Sequence, residues 1–326
     1  MIADDARWLA TAARLGLRGL PLSRPNPAVG AIILRDDVVV GRGWTQPGGR
    51  PHAEAMALAQ AGDAARGGVL YVTLEPCAHA SQRGPACADL VAVTGLSRVV
   101  IACPDPDPRT AGQGIARIRA SGIAVTVLPV PEADAGLAGY LMQRRHGRPY
   151  VTLKLALSLD GCIAMADGSS RWITGAPARA HGHAQRARQD AIVVGGGTLR
   201  ADQPQLDVRL AGLESRSPQR WVLTRGAAPE GWKCLAAPQD IFTMPDVQYL
   251  MVEGGAAAAA AFLGADLVDR LMIYRAPILI GGGKPGLAAI GLTTLAEAHG
   301  RWRHADHRQL GEDALDVYER KSCLQE

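Results

Sequence analysis

His52-Ala53-Glu54, followed by Glu75-Pro76-Cys77 and then Cys87, brings together the residue types of a hydrolytic metal site. One imidazole and two thiolates suit zinc, and three protein ligands leave a fourth position for a water whose pKa falls towards neutrality. Glu54 is then the proton carrier. Residues i and i+2 do not share a helix face, so His52 and Glu54 meet one metal only at a helix entrance. Pro51 and the good helix formers of residues 53–61, stopped by Gly62, predict that entrance here. Cys77 follows an apolar run, residues 69–74, and Pro76, which predicts a helix start or a tight loop. A helix N-terminus favours the thiolate that zinc requires.

His-x-Glu with Pro-Cys and a second downstream Cys is the pattern of zinc nucleoside and nucleobase deaminases. Residues 78–86 separate the two cysteines, so the tight Pro-Cys-x-x-Cys of deaminases acting on polynucleotides or free cytidine is absent. A structural zinc site normally has four protein ligands. His79 is the candidate fourth for that reading, which leaves Glu54 without a role; unrelated buried thiols are the remaining alternative.

The elements that must hold these residues form two α/β halves. The 326 residues suffice for two cores. In the first half a helix at 4–18 precedes strands at 29–35, 38–43, 69–74, 98–102 and 123–128, with helices near 53–61, 86–94 and 114–121. A connecting helix at 132–146 ends at Gly147-Arg148-Pro149, which sets the domain boundary: 1–146 and 147–326. The second half restarts with a strand at 150–157 and continues with strands at 191–194, 220–224, 249–252 and 271–276 and helices near 176–189 and 256–263. Glycine clusters at 195–197, 254–255 and 281–283 follow apolar strands, where backbone amides can approach phosphates or simply turn the chain. The Gly255 to Ala261 stretch reads either as a helix start beneath a pyrophosphate or as an alanine-rich packing helix.

A net charge of +4 without lysine or arginine blocks, and only two Phe, gives no case for nucleic-acid binding. The six cysteines follow no regular framework, and no export signal or long apolar span is present, so a cytoplasmic protein with reduced thiols and no membrane contact is expected.

Pro25-Asn26-Pro27-Ala28-Val29-Gly30, His52-Ala53-Glu54, Thr73-Leu74-Glu75-Pro76-Cys77-Ala78-His79 and Lys154-Leu155-Ala156-Leu157-Ser158-Leu159-Asp160-Gly161 together resemble the bifunctional riboflavin-biosynthesis deaminase–reductase family. Trp172-Ile173-Thr174, Gly197-Thr198-Leu199-Arg200-Ala201-Asp202, Val252-Glu253-Gly254-Gly255 and Ala276-Pro277-Ile278-Leu279 extend the likeness almost end to end. The resemblance implies a cytidine-deaminase-like three-layer α/β/α domain followed by a dihydrofolate-reductase-like α/β domain, the latter without a dinucleotide fingerprint. It implies zinc-dependent deamination of a diaminopyrimidinone ribosylamine phosphate, then NADPH-dependent reduction of its ribosyl group to a ribityl chain, in a homo-oligomer. His52, Cys77 and Cys87 would hold zinc, Glu54 would move protons, and Asn26 and His79 would orient the base. In the second half, Ala156, Trp172, Thr198, Asp202 and the segment Gly255, Ala256, Ala257, Ala258, Ala259, Ala260, Ala261 would line the NADPH site. Ser170, Arg186, Leu206, Arg209 and Glu253 would face the substrate, with Lys154 or Glu253 assisting proton transfer.

The chain departs from the family pattern in several places. The 78–86 loop is one residue longer, Asp107 stands where asparagine is usual, and Gln203 replaces a second aspartate. Thr224-Arg225 replaces Asp-Ser, and the stretch before Tyr249 is abbreviated. A deaminase whose second half only binds or assembles is the alternative that these changes raise.

Overall fold

Strand side chains point alternately to opposite faces, and that period builds the first unit, Met1–His146. The computed structural model describes residues 2–79 and 82–321. In order come α1 (Ile2–Gly16), β1 (Gly30–Arg35), β2 (Val38–Trp44), α2 (Ala53–Ala61), β3 (Val69–Leu74), α3 (Cys87–Ala92), β4 (Arg98–Cys103), α4 (Gln113–Ala120), β5 (Ala124–Val127) and α5 (Pro131–His146). The sheet order is β2-β1-β3-β4-β5; β1 is antiparallel to β2 and β3, and β3, β4 and β5 run parallel. Ala31, Ile33, Leu70, Val72, Val99 and Ile101 pack on one side with Ala57 of α2, Val91 of α3 and Ile118 of α4. Ile32, Leu34, Tyr71, Val100 and Ala102 face the other way, onto Leu9, Ala12 and Ala13 of α1. The result is a three-layer α/β/α sandwich. Two glycines of β2 bring α2 close: a Cβ at Gly41 or Gly43 would come within 2.2 Å of the Ala57 or Ala53 carbonyl oxygen.

The second unit is Gly147–Glu326. It runs β6 (Tyr150–Leu157), β7 (Cys162–Ala164), α6 (Ala176–Arg186), β8 (Ala191–Gly195), α7 (Gly196–Asp202), β9 (Gln219–Leu223), β10 (Lys233–Leu235), β11 (Tyr249–Glu253), α8 (Ala256–Gly264), β12 (Arg270–Arg275), β13 (Lys284–Pro285), β14 (Trp302–Leu310) and β15 (Asp313–Arg320). Its large sheet has the order β10-β9-β8-β11-β6-β12-β15-β14, parallel from β10 to β12 and antiparallel from β12 to β14, while β7 pairs with β13 apart from it. Two differences from the sequence reading have clear causes. β14 is solvent-facing over most of its length and so lacks apolar alternation, and Gly196-Gly197, read as part of a turn, begin α7 instead.

Asp269 ties the start of β12 to the start of β6. Its carboxylate accepts both Arg148 guanidinium nitrogens at 2.7 and 2.8 Å and the Val151 amide at 2.8 Å, all buried. Removing one member of a buried pair strands the other charge, so Asp269→Ala will destabilise this unit by about 3–5 kcal/mol. A urea midpoint for the variant that matches the parent protein would refute that role.

Candidate active sites

His52 is the N-cap of α2, so its ring stands outside the helix while Glu54 already lies in the first turn. Cys77 sits in the loop after β3, and Cys87, not Cys77, opens a helix, α3. The ligand atoms of His52, Cys77 and Cys87 lie within 4.8 Å of one another. His52 Nδ1 is the nitrogen turned to the thiols, 3.2 Å from Cys87 Sγ and 3.6 Å from Cys77 Sγ. Its Nε2 lies 2.7 Å from the Asn26 side-chain amide nitrogen, which donates to the Gly49 carbonyl at 3.2 Å. That contact stands behind the ring, on the side away from the thiols. The Cys87 amide donates to Cys77 Sγ at 3.3 Å.

The electrostatics suit the chemistry. A hydrogen bond from the Cys87 thiol, aided by His52, brings the Cys77 thiol down to about 4 against the effect of burial. Cys87 moves up, through its hydrogen bond with Cys77 and its own burial. Glu54 is buried, and burial raises its carboxyl to about 7 although His52 pulls the other way. A carboxyl near 7 is suited to taking and returning a proton at neutral pH. His79 stands outside the donor cluster, 3.5 Å from Thr110 Oγ1, so among the described residues the four-ligand structural reading lacks its fourth ligand. Cys87→Ser will lower zinc content per chain, and undiminished metal by elemental analysis would remove Cys87 from the ligand set.

A cavity of about 270 Å³ opens over these groups, and Asn26, His52, Glu54, Cys77 and His79 all line it. Sequence reasoning missed its basic rim: Arg50, Arg83, Arg109 and Arg144. It also assigned no role to Glu75, although that residue directly precedes Pro76-Cys77. The buried Glu75 carboxylate accepts the amides of Asp105, Gly112 and Ile115 at 3.1–3.2 Å and so holds the loop from Asp105 to Gly112 and the first turn of α4 against the metal-binding segment. Asp107 does not present a free charge to the cavity. Arg109 grips it at 2.6–3.2 Å with Arg144 at 3.7 Å, and the Arg109 hydrogen bonds hold its carboxyl down at about 2.

In the second unit, two cavities meet at the carboxyl ends of the parallel strands, where open α/β sheets take ligands. One, about 460 Å³, is lined by Ser170, Trp172, Arg186 and Arg209; the other, about 640 Å³, by Thr198, Asp202 and Gly254 to Ala258. Lys154, Ala156, Ile163, Ser170 and Glu253 belong to both. Glu253 Oε1 lies 3.2 Å from Lys154 Nζ, and Oε2 accepts Arg186 at 2.6–2.8 Å. Burial would raise the Glu253 carboxyl, but Lys154 and Arg186 outweigh it and hold the group at about 2. Lys154 Nζ also sits 5.6 Å from the Tyr274 ring centre.

The second-unit expectations separate residue by residue. Trp172 lines the first cavity rather than the second, with the Arg179 guanidinium 4.8 Å from its ring centre. Leu206 lines neither cavity; its side chain is buried with Ile192, Val194 and Met251. Gly255 to Ala258 border the second cavity, whereas Ala259 and Ala260 turn into the core and Ala261 continues the body of α8. Glycine is required at 255: its φ is +25, and a Cβ there would come within 2.7 Å of Thr198 Oγ1. Among the described residues, no helix is long and apolar enough to cross a membrane.

Residues 3–103 match the cytidine and deoxycytidylate deaminase zinc-binding region, and residues 149–244 and 243–315 match the RibD C-terminal domain. The riboflavin biosynthesis protein RibD of Escherichia coli is 35% identical over 360 residues, covering 95% of this chain and 98% of the relative. The solved structure of Acinetobacter baumannii RibD aligns with a TM-score of 0.87 at 34% identity, covering 99% of this chain and 100% of that one. A Thermotoga maritima structure, a diaminohydroxyphosphoribosylaminopyrimidine deaminase/5-amino-6-(5-phosphoribosylamino)uracil reductase, gives 0.87 at 27% identity, with 98% and 99% covered. A zinc-binding deaminase fold followed by a reductase fold, matched along nearly the whole chain, places this protein in the RibD family of riboflavin-biosynthesis deaminase–reductases.

Proposed function

We propose that residues 1–146 deaminate 2,5-diamino-6-(5-phosphoribosylamino)pyrimidin-4-one and that residues 147–326 then reduce the ribosyl group of the product with NADPH. One observation carries this reading: each unit has its own reaction centre, a buried Glu54 beside a His/Cys/Cys donor set in one, and a Lys154–Glu253 pair shared by two cavities in the other.

His52, Cys77 and Cys87 would hold a zinc ion, which would supply the Lewis acidity that activates a water near neutral pH. Glu54 would carry the first proton of the attacking water to the ring nitrogen, and then carry the second, from the hydroxyl so formed, to the departing amine, which leaves as ammonia while the ring carbonyl forms. Asn26 and His79, on the cavity wall, orient the base. The rim arginines face the ribose phosphate, since a guanidinium fork matches phosphate oxygens. Arg109 offsets the charge of Asp107, so the loss of the usual asparagine leaves this rim net basic.

The nicotinamide cofactor supplies the hydride for the second step. Lys154 donates a proton to the ring-opened sugar, and Glu253 keeps the ammonium charged and aimed. Arg186 and Arg209 face the phosphate from the first cavity. Support for NADPH over its unphosphorylated analogue comes from a third cavity on the other flank of α7, lined by Arg200, Arg220 and Thr224, where a 2′-phosphate finds cationic partners. The decisive experiment follows ammonia release and NADPH oxidation together on zinc-loaded protein. Both signals in sequence support the two-step reading. Ammonia without NADPH oxidation, even when the deaminated intermediate is supplied directly, would leave a deaminase with a non-catalytic second unit.

A further inference from the structure

His304, His307 and Asp316 form a donor cluster that neither reaction uses. In a regular strand, residues three apart point to opposite faces, yet His304 and His307 of β14 share one face. A bulge makes the difference: His304 pairs with Tyr318, Asp306 with Val317 and His307 with Asp316, so Ala305 is the extra residue. Both imidazoles then converge on one oxygen, Asp316 Oδ1, with His304 Nε2 at 3.4 Å and His307 Nδ1 at 2.8 Å. Asp316 Oδ2 is held by Arg275. The three candidate ligand atoms lie within 4.8 Å of one another. Leu315 and Val317 turn to the opposite face and pack near Tyr274, which lines the first second-unit cavity, so the cluster lies across the sheet from that cavity.

We propose that His304, His307 and Asp316 bind a divalent ion of the zinc–nickel–copper class on the β14–β15 ribbon, separate from the deaminase metal site. Two imidazoles and one carboxylate are the donors such ions prefer over the all-oxygen shells of magnesium and calcium. With metal–ligand bonds of about 2.1 Å, tetrahedral ligands stand about 3.4 Å apart. The His304–Asp316 separation of 3.4 Å already meets that spacing, and His307 has to withdraw from 2.8 Å to about 3.4 Å, a shift of about 0.6 Å. The two imidazoles are about half exposed, so an ion has a route in and room for water in its open positions. Arg275 takes the role of the outer group that orients a ligating carboxylate. A bound ion would join β15 to the edge strand β14, closing the end of the large sheet with a metal link.

The test uses full-length protein without a histidine tag, carrying one equivalent of zinc in its thiolate site. Equilibrium dialysis against Zn²⁺, read by elemental analysis, is expected to show a second equivalent. His304→Ala and His307→Ala, together or singly, should weaken that second equivalent at least tenfold while ammonia release is unchanged. Asp316→Asn, which keeps a partner for Arg275, gives an independent variant should the histidine changes disturb the ribbon. Co²⁺ offered to the one-zinc protein should bind without the thiolate charge-transfer band of a cysteine site. A wild-type protein that stops at one equivalent in excess zinc overturns the proposal, as does a second equivalent that survives the histidine substitutions.

Discussion

Glu54→Gln will keep its zinc and lose ammonia release by about 10²–10⁴-fold, the range associated with removing a positioned proton carrier. Glutamine fills nearly the same volume, so the buried first turn of α2 remains packed and the loss reports chemistry rather than unfolding. The amide can neither accept the proton of the attacking water nor pass it on. NADPH oxidation with the deaminated intermediate should proceed at the parent rate, because the second centre lies in the other unit. Retained ammonia release with full zinc content would remove Glu54 from the mechanism.

The second large effect concerns Lys154. Lys154→Met preserves the length and apolar stem of the side chain but takes away the charged head between the two cavities. NADPH oxidation should fall about 100-fold or more, expressed in kcat rather than KM, since a proton donor acts in the transition state and not in ground-state binding. Glu253 keeps Arg186 as its ion-pair partner, which limits the damage to the fold. Ammonia release should not change. A variant with normal kcat and raised KM would make Lys154 a substrate-binding residue only.

The first site could be read from sequence because its parts are short and each lies at the edge of a regular element. His52 and Glu54 straddle the start of a helix whose composition announces it, and Cys77 follows an evident strand. The sandwich itself followed from the alternation of short apolar strand-like runs with helix-forming stretches. Other features had no local signal. β14 is polar because it faces solvent, and its pairing with β15 is settled by main-chain hydrogen bonds that the side chains do not advertise. The basic rim comes from residues scattered from Arg50 to Arg144 that only the folded chain collects. Leu206 shows the limit of positional transfer: its place in the order suits a substrate contact, but its side chain is spent on packing with Met251. Ala259 and Ala260 were grouped with their neighbours, although a helix turns successive residues through about 100° and can offer only part of its first turn to one ligand.

The Glu75 carboxylate has a consequence for how this enzyme can change. By holding the amides of Asp105, Gly112 and, in the first turn of α4, Ile115 from a position two residues before Cys77, it makes the metal loop and the Asp107–Arg109 side of the cavity one mechanical piece. Selection therefore sees the two together. A substitution that shifts the loop bearing Arg109 is transmitted to the segment bearing Cys77. Arg50 and Arg144, borne by other segments, are tied to the same piece, Arg50 through the Pro85 carbonyl of the metal loop at 3.2 Å and Arg144 through Asp107 at 3.7 Å, so the rim is coupled to it as well.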